Sequence, residues 1–243
     1  LIDYGVLRLT PDSLPDASVG GHYSRVISGL NDSGPVHLTY RITTALPVAA
    51  RGLSFTTHDG NPGTLALDFT PTSEWLAQGM TSLAVEVTAS DTAGHATTQT
   101  YTIRINAAPT FVTRSLPAST VGVPYGQLIA VGGGTGIKTV EYRLSPGGKS
   151  PLHINYTPSA GNPGYLIITG TPTTTGLVTV NVRATDEAGA VTPWSSFILE
   201  INPAITLGKM SKTAGTLGQR NFVTTIQVSG GTVPYSAAGP SVT

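Results

Sequence analysis

Gly170-Thr171-Pro172-Thr173-Thr174-Thr175-Gly176-Leu177-Val178-Thr179-Val180-Asn181-Val182-Arg183-Ala184-Thr185-Asp186-Glu187-Ala188-Gly189 packs a turn, a strand and a second turn into one short span. Leu177, Thr179, Asn181 and Arg183 alternate with Val178, Val180, Val182 and Ala184, so an extended chain buries the valine row and leaves the other row in water. Gly176 releases the chain into this strand, and the turn from Asp186 sends it back toward Phe197-Ile198-Leu199-Glu200-Ile201.

The same unit stands earlier as Leu83-Ala84-Val85-Glu86-Val87-Thr88-Ala89-Ser90-Asp91-Thr92-Ala93-Gly94, with Asp91 and Asp186 separated by 95 residues. Leu14-Pro15 with Val19-Gly20 and Tyr23 recurs as Leu116-Pro117 with Val121-Gly122 and Tyr125, 102 residues on. Gly60-Asn61-Pro62-Gly63 recurs as Gly161-Asn162-Pro163-Gly164 at an offset of 101. A period of this size is a domain, not a solenoid turn. The fall from 101 to 95 gives the first repeat six extra residues, Ser73-Glu74-Trp75-Leu76-Ala77-Gln78, read as a helical turn capped by Thr72 or Ser73. A third copy opens after Asn202-Pro203, where Val228-Ser229-Gly230-Gly231-Thr232 echoes Val131-Gly132-Gly133-Gly134-Thr135 at an offset of 97.

Composition narrows the class. The 243 residues include 29 glycines and 18 prolines, and only 11% are charged, which suits short strands and tight turns better than helices. Thirteen basic residues balance thirteen acidic ones, so no basic field recruits nucleic acid. Without cysteine there are no disulfides, thiol nucleophiles or thiolate metal sites. No apolar run approaches the ~20 residues of a membrane helix, so direct membrane insertion is not expected in this segment.

The expected fold is all-β: tandem immunoglobulin-like, or cadherin-like, β-sandwiches in a linear array. Residues 1–13 are read as a terminal strand or linker, or the end of a preceding unit, and residues 14–106 as the first sandwich. Residues 107–115 are read as a short linker and leading strand, 116–202 as the second sandwich, and 203–243 as the start of an incomplete third. The chain is expected to be an excerpt whose third sandwich is finished by residues beyond Thr243. Proline in the connectors favours rods in line over beads on a string.

Leu116-Pro117, Val121-Gly122-Val123-Pro124-Tyr125, Thr169-Gly170-Thr171-Pro172 and Ala184-Thr185-Asp186-Glu187-Ala188-Gly189 resemble the Ig-like and dystroglycan-type cadherin-like tandem repeats of large bacterial surface proteins. The resemblance covers the second repeat fully, the first more loosely and the third only in its opening motifs. It implies a sandwich module on a secreted or surface-anchored protein, an adhesin or an accessory region of an extracellular enzyme. It implies no catalytic residues.

Asp91 and Asp186 stand at matching turns, where an aspartate accepts backbone N–H bonds and shapes the turn. Cadherin-like relatives often hold calcium between modules, which makes Asp91, Asp186 and Glu187 the calcium candidates, with Asp32 and Asp59 as neighbours to be tested. The paired acids that build a six- to eight-oxygen cage are missing, however. Gly132-Gly133-Gly134-Thr135-Gly136-Ile137-Lys138 lacks the lysine spacing and the following helix of a phosphate loop and reads as a flexible hairpin turn. His22, His37, His58, His95 and His153 show no metal-ligand spacing. Neither a nucleophile elbow nor a triad stands out, so no catalytic residue and no cofactor are expected. Trp75 sits in the insertion that the second repeat lacks, and is read as a core cap or a partner contact.

The functional expectation is a non-catalytic structural or adhesive segment of an extracellular or cell-surface protein, bacterial in type, acting as a stalk or building a filament or sheath. Its first partners are neighbouring modules. The alternatives are a module that binds a glycan or protein ligand, and an accessory region of an extracellular enzyme.

Overall fold

The computed structural model describes residues 7–31, 34–145 and 154–236. In the first module β1 (Arg8–Thr10), β2 (Ala17–Ser18), β3 (Tyr23–Leu30), β4 (Val36–Ile42), β5 (Thr56–His58), β6 (Gly63–Phe69), β7 (Ser82–Asp91) and β8 (Ala96–Asn106) follow in order. They form two sheets, β1-β3-β6-β5 and β2-β8-β7-β4. In the second module β9 (Thr110–Phe111), β10 (Ser119–Thr120), β11 (Tyr125–Gly132), β12 (Thr139–Ser145), β13 (Ile154–Ser159), β14 (Gly164–Gly170), β15 (Gly176–Thr185) and β16 (Ser195–Asn202) repeat the pattern as β9-β11-β14-β13 and β10-β16-β15-β12.

The first strand of each module is split. Its first half runs antiparallel to the third strand, and its second half crosses to the other sheet and lies parallel to the last strand. That crossover, with the last two strands and the fourth completing the second sheet, is the immunoglobulin-like arrangement. The chain is therefore a tandem of Ig-like sandwiches.

Side-chain alternation drives the packing. Along β15, Val178, Val180, Val182 and Ala184 are each at most 3% exposed, while the intervening residues reach water or its margin. The same rows of β7 and β14, including Leu83, Val85, Val87, Leu166 and Ile168, are fully buried, so the facing sheets share one apolar layer per module. Pro158 interrupts no ladder, because β13 is an edge strand paired only with β14. Tyr23 and Tyr125 both donate their phenol to a carbonyl eight residues upstream, Pro15 at 3.0 Å and Pro117 at 2.9 Å.

Three local details refine the sequence reading. The segment expected as a terminal strand or linker supplies β1, with Leu9 buried against the first core; β9, from the expected linker, does the same in the second. The inserted turn is a helix, α1 (Ser73–Ala77), whose N-cap Thr72 is extended but makes no side-chain capping bond. Residues 133–138 are not a hairpin turn, since β11 and β12 belong to different sheets and this connection bridges them.

The third copy contributes β17 (Thr206–Met210) and β18 (Ile226–Ser229), paired antiparallel. Leu207 lies opposite Val228 as Phe111 lies opposite Val131 and Leu9 opposite Gly29. The first pairing of an Ig-like module thus occurs three times in one register.

Candidate functional site

The end of the first module meets the second through a short set of polar groups. Thr135, in the β11–β12 connection, donates its hydroxyl to the Ala17 carbonyl at 3.3 Å and pairs with the Ser18 hydroxyl at 2.7 Å. Asn106, the last residue of β8, donates to the same oxygen at 2.9 Å and to Asp16 at 3.2 Å. The Gly134 amide donates to the Ala107 carbonyl at 3.0 Å. Gly134 has φ +64°, a left-handed conformation that glycine adopts without strain, so the amide can turn toward the first module. Gly21 completes the fit: a β-carbon there would come within 2.7 Å of the Ala188 carbonyl oxygen.

The next joint repeats these contacts. Thr232 donates to the Ser119 carbonyl at 3.3 Å, pairs with the Thr120 hydroxyl at 2.9 Å and accepts from Asn202 at 3.2 Å. The Gly231 amide donates to Pro203 at 2.7 Å. One threonine, one asparagine, one glycine amide and one short strand recur at both boundaries.

The acids behind this loop are occupied. Asp186, 5% exposed, accepts the Thr135 amide at 2.8 Å through one carboxylate oxygen and the Ala190 amide at 2.8 Å through the other. Glu187 accepts the Ile137 amide at 3.2 Å. In the first module Asp91 does the corresponding work, taking the Ala93 and His95 amides at 2.9 Å each, the His95 ring at 2.8 Å and Asn31 at 3.0 Å. The bond from the His95 side chain, with backbone amides adding to it against the opposing effect of burial, holds the Asp91 carboxyl below its usual range.

These aspartates do not converge. Asp91 lies at the start of the β7–β8 turn and the joint at the far end of β8, so eleven residues of strand, about 35 Å, separate them. A cleft of about 310 Å³ does open at the joint, where Asp16 of one module and Glu187 of the next stand beside Arg25. Two carboxylates fall short of a calcium cage, and among the described residues no group of three or more His, Asp or Glu side chains gathers. Asp59 instead pairs with His37 at 2.6 Å. Asp32 and His153 lie outside the described residues. Lys138, the cation a phosphate loop would need, is 2% exposed and donates to Asn162 at 2.7 Å.

Trp75 is not a partner contact. It is 5% exposed, stacks on Phe69 at 5.9 Å and donates its indole N–H to the Ala49 carbonyl at 3.1 Å. The helical turn exists to tuck this ring under the first core, which satisfies the one polar atom it buries. The other tryptophan, Trp194, had no repeat partner to draw attention to it. It lies half-buried on the outside of the second module, against Arg143 at 4.4 Å and Arg183 at 4.9 Å. Thr135 and Thr232 were visible as a repeated Gly-Gly-Thr, but only the fold shows that the motif faces another module.

No protein family matches the chain by its profile, and no curated sequence matches it. Among solved structures it is similar to the I-band fragment I67-I69 from titin, at 12% identity over 84% of this chain and 68% of that one, with a TM-score of 0.46. It is also similar to the sialic acid binding region of a Streptococcus sanguinis SK1 adhesin, at 14% identity, 83% and 78% coverage and a TM-score of 0.33. The N-terminal Ig1-2 module of the Drosophila receptor protein tyrosine phosphatase DLAR matches at 14% identity, 80% and 98% coverage and a TM-score of 0.31. Nothing about ligand or activity follows from likeness at this level.

Proposed function

We propose that the chain is a non-catalytic segment of an extracellular or cell-surface protein of the bacterial cadherin-like repeat type, in which tandem Ig-like modules act as a stalk or build a filament or sheath. The observation that supports this reading is the repeated joint. Stiff extension needs each module to sit on the next in one defined way, and the same threonine, asparagine and glycine amide serve both boundaries. Calcium is not required, because Asp186 and Glu187 are spent on backbone amides of the second module and Asp16 takes the Asn106 side chain. The immediate partner of each module is its neighbour.

Small-angle scattering on the chain tests this directly. A stiff rod whose length does not change with chelator is the expected result; a broad distribution of angles between the first two modules would overturn it. A second reading, a module that also holds a ligand, is favoured by one feature, the outer face of the second sandwich.

A further inference from the structure

The two modules share a backbone, so differences between equivalent surfaces are informative. Arg41 on β4 and Arg143 on β12 occupy the same position. Arg41 lies opposite Glu86 and pairs with it at 3.0 Å. Arg143 lies opposite Asn181, whose side-chain oxygen is taken by the Ser196 hydroxyl at 2.7 Å. Arg143 therefore has no carboxylate directly across the strand pair.

The neighbouring pair differs as well. Thr88 and Thr98 face each other and share a hydrogen bond at 2.9 Å. At the corresponding place the second module carries Arg183 and Trp194. The indole lies against both guanidinium groups, 4.4 Å from Arg143 and 4.9 Å from Arg183. Glu141 neutralises one of the two charges, both of its oxygens taking Nη2 of Arg183 at 3.1 and 2.9 Å, while Nε of Arg183 is buried without an acceptor. Arg143 is exposed and meets no carboxylate among the described residues. One positive charge is thus held, oriented, on an aromatic platform.

A guanidinium stacked on an indole keeps its donors around its rim, where a carboxylate can still take two of them. The part of the half-buried indole that still reaches water accepts the C–H side of a pyranose. Arg143 stands on the edge strand β12, but the patch is made by side chains that project from the face of the sheet, out of the plane in which that edge would add a backbone ladder to an extended peptide. We propose that Arg143, Trp194 and Arg183 form a shallow binding site for a carboxylated sugar. Arg143 takes the carboxylate, Trp194 carries the ring, and Arg183, tied to Glu141, holds the indole in place. The site is independent of the stalk reading and belongs to the second module alone.

The test is titration of the chain with an oligogalacturonide and with its methyl ester, followed by calorimetry and by the two indole N–H resonances in NMR. One charge-assisted contact and one stacked ring should give a Kd on the order of 1 mM. The ester, which keeps the ring and loses the charge, should bind about tenfold more weakly or not at all. The Trp194 resonance should move while that of Trp75 stays. Arg143→Gln should lose about as much as esterification, and Arg41→Gln should lose nothing. If Arg143→Gln perturbs the fold, the comparison of acid with ester on the unaltered chain still decides. Equal binding of the two sugars, no binding of either at several times that concentration, or equal binding by an oligoglutamate would overturn the proposal.

Discussion

Asn106 of the first module donates its side-chain amide to the Thr135 hydroxyl of the second at 2.9 Å. The same oxygen pairs with Ser18 and donates to Ala17, so one threonine side chain gathers both strands that end the first sandwich. Asn202 and Thr232 stand in the same relation at 3.2 Å one module further on.

Thr135→Val keeps the shape of the side chain and removes the oxygen. Ser18 and Asn106 lose a partner, at about 1 kcal/mol each. The cost falls on the joint and not on either core, so thermal melting should move by no more than ~2 °C, while residual dipolar couplings should report two independently reorienting modules. A single alignment tensor for both modules of the variant would show that the threonine does not set the joint.

Gly21→Ala approaches the joint from the other side. Its methyl group would meet the Ala188 carbonyl oxygen at 2.7 Å and the Ala190 amide at 3.0 Å, both backbone atoms that cannot swing away. Each sandwich should fold normally and the angle between them should change, visible as altered scattering with unchanged circular dichroism. Unchanged scattering would mean that the contact is not tight in solution.

Alkali should weaken both modules through their buried tyrosines. Burial pushes Tyr23 up to about 12, with Arg25 pulling partly the other way, and burial with a smaller effect of Tyr156 pushes Tyr125 up to about 12. An unfolded tyrosine ionises near 10, so between the two values the native chain holds more protons and stability falls as pH rises. Stability is intact below the unfolded value and falls as pH climbs toward the folded one. Urea midpoints across that window should fall for the native chain and stay flatter for a Tyr23→Phe, Tyr125→Phe double variant. Parallel slopes would remove the tyrosines as the cause.

Trp75→Ala should cost about 3–5 kcal/mol, because it opens a cavity beneath the first core and deletes the bond to Ala49. The loss should be confined to one module. Trp194, then the sole tryptophan of the two, reports the second sandwich by fluorescence, and its unfolding midpoint should stay put while circular dichroism shows an earlier transition. Coincident early transitions would mean that the modules unfold as one unit.

Calcium should leave the melting curve where chelator leaves it. Asp186 already uses both oxygens on amides, and Asp91 lies a strand length away. A ligand that binds only the native state stabilises in proportion to the logarithm of its concentration over Kd. A rise of several degrees in millimolar calcium would therefore reveal a cage built from groups other than these.

Strands were legible because burial follows a period of two. The valine row of β15 could be named from the chain alone, and the repeat offsets placed the extra helix to within a residue or two. Residues 133–138 were not legible, since glycines permit a hairpin and a crossover equally and only the sheet order distinguishes them. Trp75 illustrates a different limit. An unmatched tryptophan in an insertion fits a hot spot or a plug, and which it is depends on whether Ala49 and Phe69 lie beneath it. Arg143 reads as an ordinary strand arginine until its opposite number proves to be Asn181 in place of an acid. Arg143 and Asn181 meet across a separation of 38 residues, fixed by register, and a local pattern does not carry that information.

The parallel pairing of β2 with β8, and of β10 with β16, sets how the molecule carries load. When the two ends of a module are pulled apart, the strand that enters and the strand that leaves slide along each other, so their hydrogen bonds are strained together in shear and not opened one at a time. The joint groups Ala17, Ser18 and Asn106 lie within that same patch, so tension passes from one module to the next through the part of each sandwich that resists it collectively.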